Sequence, residues 1–433
     1  MKNRYADRRS KLGAMLPKNS AVVIAGAAVQ YRNADSSHAF RQDSNFWYLT
    51  GFNEPESTLV LLINESKDVQ SIAFVPKKDA LKEIWDGYRA GPNGAVKDHG
   101  FDLAFDNTEI DERLPDLLAG YNQVFYPVGK SQKLDADVID WIKTARSKDR
   151  HSSPIDIADA SSKIGNERLI KDKDEIEIMK KACQISAEAH VEAMKFVKPG
   201  MNEQELEAFY QYQFSKRGGR FAAYTPIVAG GENACVLHYV ENSKALKDGD
   251  LVLVDAGCEF ELYASDITRT YPINGKFTAA QLAIYEVVLE AQQKSIEAVT
   301  VNNNVMDSQI ISEKVITQGL IDLGILNGSM EELHETGAFK DFYMHKIGHW
   351  LGIDVHDAGD YTEDGEYMKF KPGMITTVEP GIYISSTANV KDQWKGIGIR
   401  IEDNILVTAK GNQNLTDFVP SNPKEIEALM AKT

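Results

Sequence analysis

"KDGDLVLVDAG", residues 247–257, holds four consecutive apolar residues, Leu251 to Val254, between a Lys-Asp-Gly turn and Gly257, and the run ends on Asp255. Such a run reads as a buried strand, and a buried strand that delivers a carboxylate needs a reason. "KPGMITTVEPG", residues 371–381, supplies one. The two stretches align without a gap, with Lys, Gly, Val, an acid and Gly at the same five places, so that Glu379 matches Asp255. Each is followed by a second strand-like segment that also carries an acid: "YASDITRTYPI" from Tyr263 with Asp266, and "GIGIRIEDNILVT" from Gly396 with Glu402. This pattern predicts an internal duplication, two halves of one unit, each presenting two carboxylates from adjacent strands.

The chain of 433 residues has room for two or three domains. Its 43% apolar and 26% charged residues are ordinary for a globular protein. No run approaches the ~18 apolar residues of a membrane span, and the start "MKNRYADRRSKLGAML" is basic without an apolar core. A cytoplasmic location without membrane attachment is the expectation. A net charge of −16 opposes binding to phosphate backbones, which argues against a nucleic-acid partner. Cys183, Cys235 and Cys258 lie far apart without a CxxC, so neither a disulfide framework nor a thiolate zinc site is suggested.

Residues 1–171 alternate strand-like runs ("AVVIAG", "TLVLLI", "SIAFVP") with helical stretches and read as a mixed α/β domain. The polar stretch "RSKDRHSSP" from Arg146 interrupts that pattern. A second domain, 172–433, opens with "KDKDEIEIMKKACQISAEAH", where Ile178, Ala182, Ile185 and Ala189 recur at helical spacing. Asn202 with Glu205, and Thr278 with Gln281, carry the signature of capped helix starts. Strands surround these helices, so the second domain is expected to be α+β.

"MHKIGHWLGIDVHD", residues 344–357, adds His345, His349 and His356, three of the nine histidines in the chain. His345 and His349 have the zincin spacing, but Lys346 stands where HExxH needs its Glu. Gly348 and Gly352 point to a loop and strand rather than a helix. Two carboxylates about 5 Å apart repel by roughly 3 kcal/mol at an effective dielectric near 20, and four converging acids make six such pairs. Two divalent cations are the natural remedy. A mostly oxygen donor set with one imidazole favours Mn²⁺, with Co²⁺ or Zn²⁺ as possible occupants. Two ions bridged by water generate a nucleophile and polarise a carbonyl, which is equipment for hydrolysis.

Asp255, Asp266, His349, Glu379 and Glu402, within "VDAG", "SDITRTY", "GHWLGIDVHD", "VEPG" and "GIGIRIED", resemble the metal set of the pita-bread metallopeptidases, the creatinase/prolidase-like fold. Within that family, "FRQDSNFWYLTGFNEPES" from Phe40 and "ACVLHYVEN" around His238 resemble the aminopeptidase P branch. The resemblance implies that Asp266 and Glu402 bridge both metals, that His349 and Glu379 complete one, and that Asp255 chelates the other. It implies a metal-bridging hydroxide attacking the scissile carbonyl, with Glu379 moving the proton to the leaving nitrogen. His238 and His356 would face the substrate, Arg400 would hold Asp255, and Tyr224, His345 and Tyr383 would shape the pocket. The implied substrate is a peptide with proline second, cut after its first residue. The N-terminal domain would mediate a homodimer or homotetramer and control substrate access, with Trp85 of "EIWDGYRAG" as the aromatic lent to a neighbouring site. All five metal positions are intact, unlike the metal-free creatinase variation. Two alternatives stand beside this reading: an Xaa-Pro dipeptidase (prolidase), with organophosphate ester hydrolysis as a side activity, and a non-catalytic binding module on the same scaffold.

Overall fold

The computed structural model describes residues 2–148, 154 and 156–432. It divides into two compact units, Met1–Arg168 and Leu169–Thr433. Of the polar stretch beginning at Arg146, residues 149–153 lie outside the described residues.

The first unit is built on a six-stranded mixed sheet in the order Leu103–Asp106, Val69–Val75, Thr58–Ile63, Ser20–Ala25, Gln123–Tyr126 and Asp156–Asp159. The three apolar runs picked out in the sequence are its central strands. Thr58–Ile63 pairs antiparallel with both neighbours, and the outer strands add in parallel. Val22, Val23, Val60, Leu61, Ile72 and Phe74 are fully buried there.

The second unit repeats one plan twice. Helices Lys173–Phe196 and Glu203–Lys216 precede strands Leu251–Asp255 and Thr268–Pro272; helices Ala279–Glu297 and Val305–Asp322 precede strands Ile375–Val378 and Asp403–Thr408. Both strand pairs are antiparallel. The expected capping boxes form at Asn202–Glu205 and Thr278–Gln281, and the helix that opens near residue 172 is capped by Asp172. Its predicted inner face is buried at Ala182, Ile185 and Ala189 and half-buried at Ile178.

Backbone register supports the duplication independently of side-chain identity. The N-cap Asn202 bridges Ala245, and the N-cap Asn304 bridges Lys369. Ala245 and Lys369 both lie two residues before the aligned lysines, Lys247 and Lys371. The flanking bonds match as well: Leu246 N donates to Met201 O, and Phe370 N donates to Asn303 O. The α+β pita-bread arrangement with a pseudo-twofold repeat is therefore present.

The sequence puts Asp255 and Glu379 at strand ends and Asp266 and Glu402 within strand-like segments, and the structure places all but Asp255 just outside the strands. Asp255 is the last residue of its strand, but Glu379 follows Val378, Asp266 precedes Thr268, and Glu402 precedes Asp403. In the second half Pro380 has no N–H to continue the ladder past Glu379. Strand ends of this kind leave each carboxylate free to turn away from the sheet and toward a common point.

Candidate active site

The two halves bring their acids together by reciprocal contacts. Thr268, two residues past Asp266, donates its hydroxyl to Glu402 Oε2 at 2.7 Å, and its carbonyl accepts Glu402 N at 3.0 Å. Asn404, two residues past Glu402, accepts Asp266 N at 3.0 Å and donates through its amide to Asp266 O. Each half thus grips the other's acid. Asp266, His349 and Glu402 each offer one ligand atom, all within 4.8 Å of one another. One ion with bonds of ~2.0–2.2 Å gathers such atoms after shifts of a few tenths of an ångström. His349 Nε2 lies 3.4 Å from Asp266 Oδ2 and 3.5 Å from Glu379 Oε1.

The electrostatics of this cluster call for cations. Burial, reinforced by the neighbouring acids, raises Asp266 above the usual carboxylate range, pushes Glu402 well above it, and lifts Glu379 to about 7. The Tyr224 hydroxyl lies 2.5 Å from both Asp255 Oδ1 and Asp266 Oδ1. A single O–H hydrogen serves only one of them, so the second contact requires a proton on a carboxyl group or a positive ion nearby. For His349, burial opposes the charged form, but the bond to Asp266 and the Glu379 charge outweigh it and raise the ring to about 9. Its Nδ1 lies 3.0 Å from Trp350 O, which fixes the Nδ1–H tautomer once the Nε2 proton is displaced. That leaves Nε2 as a lone pair aimed at the acids, the arrangement a metal-ligating histidine needs. Four carboxylates and one such imidazole therefore fit divalent ions.

Beside the acids runs a buried polar chain. Arg400 donates to Asp255 Oδ2 at 2.5 Å through Nη2, to the Tyr383 hydroxyl at 3.1 Å through Nη1, and to Thr268 Oγ1 at 3.1 Å through Nε. Tyr383 OH lies 2.8 Å from His345 Nε2. Burial and the Arg400 charge hold His345 near 4, so this ring stays neutral. His349 and His356 stand edge to face, with ring centres 4.3 Å apart. Burial and the charge on His349 lower His356.

Asp255, Asp266, His349, Glu379, Glu402, Tyr224, His238, His345, His356 and Arg400 all line one cavity of about 1090 Å³, large enough for a peptide of several residues. Tyr383 does not line that cavity but touches its residues, bonding His345 and Arg400 through its hydroxyl and setting its ring 5.5 Å from that of His345. Trp85 belongs to the other unit, on the short helix Ala80–Asp86, and is 87% exposed. The segment carrying His345 and His349 is irregular, joined to strand Ile375–Val378 by a Trp350–Thr376 bridge, in line with its glycines.

Residues 177–409 match the model of metallopeptidase family M24, and residues 5–126 match that of the aminopeptidase P N-terminal domain. The chain belongs to metallopeptidase family M24. This M24 chain is 43% identical to the Xaa-Pro aminopeptidase of Haemophilus influenzae over 99% of its own length and 97% of the relative's. The solved aminopeptidase PepP of Pseudomonas aeruginosa is similar at a TM-score of 0.97 and 44% identity, covering 100% of this chain and 98% of that one. Aminopeptidase P of Escherichia coli, solved zinc-substituted with product and also with the inhibitor Pro-Leu, has a TM-score of 0.97 at 41% identity, with 100% and 98% covered. The resemblance drawn from the motifs is borne out, and the chain is a peptide hydrolase of the Xaa-Pro aminopeptidase branch. As a metallopeptidase it works with divalent metal ions. No described helix is long and apolar enough to cross a membrane.

Sequence reasoning missed several contributors to this M24 site. Thr268 and Asn404 occupy the same position of the two repeats, so the internal alignment held the signal that would have found them. Tyr361, which stacks on Trp350 and accepts Trp350 N at 3.0 Å, had none.

Proposed function

We propose that this chain removes the N-terminal residue from peptides with proline in second place, using two divalent ions held by Asp255, Asp266, His349, Glu379 and Glu402. The observation that carries the reading is the convergence of those five side chains, from two halves of the fold, on one open cavity. The names of the full-length relatives support the substrate. When bound, the ions supply a nucleophilic water at neutral pH and polarise the scissile carbonyl. Manganese suits the oxygen-rich donor set.

The protein's own groups do the rest. Asp266 and Glu402, cross-held by Asn404 and Thr268, would hold the ions together with Asp255, His349 and Glu379. Glu379 takes a proton from the attacking water and delivers it to the leaving nitrogen. That delivery matters because proline leaves as a secondary amine, which must be protonated as it departs. Arg400 orients Asp255 through its Nη2–Oδ2 hydrogen bond. His238 and His356 hydrogen-bond the scissile group, while Tyr224, Tyr383 and His345 fix the walls. A proline amide has no N–H, so a site that grips the carbonyl accepts it without loss.

In this reading residues 172–433 carry catalysis, and residues 1–171 serve oligomerisation and substrate access through Trp85. Three free cysteines suit a reducing compartment such as the cytoplasm. The rival is a dipeptidase, and a substrate panel separates them. Release of the first residue from Xaa-Pro-Xaa tripeptides and longer peptides, with Xaa-Ala-Xaa uncut, is the expected result. Cleavage restricted to Xaa-Pro dipeptides overturns the proposal in favour of prolidase.

A further inference from the structure

Glu203 is the first residue of helix Glu203–Lys216 and is fully buried. Its Oε1 accepts Gly230 N at 2.8 Å and Asn233 Nδ2 at 2.9 Å; its Oε2 accepts the Tyr239 hydroxyl and Lys244 N, both at 2.9 Å. Four donors converging on two oxygens suit a carboxylate, and the helix N-terminus adds a favourable dipole. No cation pairs with Glu203 among the described residues. Burying a carboxylate is costly unless hydrogen bonds satisfy it, and here all four come from one segment, residues 230–244.

The donors reveal what it organises. Gly230 and Asn233 lie at the entry to the segment 230–244, Tyr239 in its middle and Lys244 at its exit. Between residues 236 and 242 this segment has no strand ladder to define its path. It nevertheless contributes Leu237, His238 and Val240 to the wall of the active-site cavity. Tyr239, packed with Ile227, Leu253 and Tyr383, is the immediate neighbour of His238. The ring of His238 makes no hydrogen bond of its own among the described residues, so the course of the backbone sets its direction. Glu203 itself does not line the cavity.

We propose that Glu203 is a positioning residue for peptide hydrolysis: by tying the two ends and the middle of segment 230–244 to one carboxylate, it aims His238 at the substrate. The inference rests on the reading of His238 as a substrate-facing group.

The test is a double-mutant cycle in the full-length, Mn²⁺-loaded enzyme, comparing wild type, Glu203→Gln, His238→Ala and the double variant on an Xaa-Pro-Xaa tripeptide. Glu203→Gln keeps the volume but turns an N–H toward two of the four donors. It is expected to lower kcat/KM by about 10–100-fold, the scale of a misplaced catalytic contact. In the His238→Ala background the same substitution is expected to change kcat/KM by less than about 2-fold, and calorimetric Mn²⁺ affinity is expected to match wild type. A purely structural role would not give this non-additivity. An equal loss in both backgrounds, or no loss in a folded Glu203→Gln, overturns the anchor while leaving His238 impaired by its own substitution. Full activity of His238→Ala instead removes the reading of His238 and the inference with it. If Glu203→Gln does not fold, Tyr239→Phe, which removes a single bond, takes its place in the cycle and must show a loss that vanishes without His238.

Discussion

Replacing Glu379 by Gln isolates the electrostatic strain of the acid cluster. In the metal-free protein Glu379 is lifted from 4.5 to about 7, chiefly by burial. A folded-state pKa above the unfolded one means that its stabilising contribution is fully present below about 4.5 and lost as pH rises through about 7. The shift is ~2.5 units, and at ~1.36 kcal/mol per unit the loss is about 3 kcal/mol. Gln carries no such titration. The stability of Glu379→Gln relative to wild type should therefore climb by about 3 kcal/mol between pH 4.5 and 7.5. His190, His345 and His356, whose lowered pKa values act in the opposite sense, are common to both proteins and largely cancel in the difference. His349 reinforces it, because losing the Glu379 charge removes part of what raises that ring. The assay is urea denaturation of chelator-stripped proteins at pH 5, 6, 7 and 8. A difference that stays flat, or shrinks as pH rises, refutes the account of a cluster that must be neutralised by protons or metal.

Four further outcomes are expected. Lys171 and Asp357 form an ion pair at 2.9 Å with both side chains 1% exposed, so Lys171→Met should cost about 3–5 kcal/mol in denaturation. Lys276→Met, at an exposed pair with Glu427, should cost less than about 1 kcal/mol. Asn404→Leu removes the grip on Asp266 at similar volume and should weaken Mn²⁺ binding about 10–100-fold by calorimetry. Trp85→Ala should leave folding stability within about 0.5 kcal/mol, given its exposure, but lower activity on long peptides; full activity on them rejects its proposed role.

The eleven-residue alignment of 247–257 with 371–381 made the duplication legible, because a strand's period and its terminal acid are local properties of sequence. The same holds for the caps at Asn202 and Thr278, where side chain and backbone donor lie three residues apart. The pairing of Thr268 with Glu402 and of Asn404 with Asp266 was not legible as contacts, since each spans more than 130 residues. Glu203 was hidden for a related reason. In the sequence it is one more acid at a helix start, and only the return of residues 230–244 to its carboxylate distinguishes it. Tyr361 and Tyr367 reach the cavity from a loop and a short hairpin after the histidine segment, with no periodicity to announce them.

The central claim is that this fold holds metal in order to cut an Xaa-Pro bond. The direct measurement is release of the N-terminal residue from an Xaa-Pro-Xaa tripeptide by metal-stripped protein, before and after adding Mn²⁺, with Glu402→Ala alongside. The account predicts no release by the stripped protein, recovery with Mn²⁺, and none from Glu402→Ala under either condition. Release that proceeds at the same rate without metal, or that survives in Glu402→Ala, contradicts it.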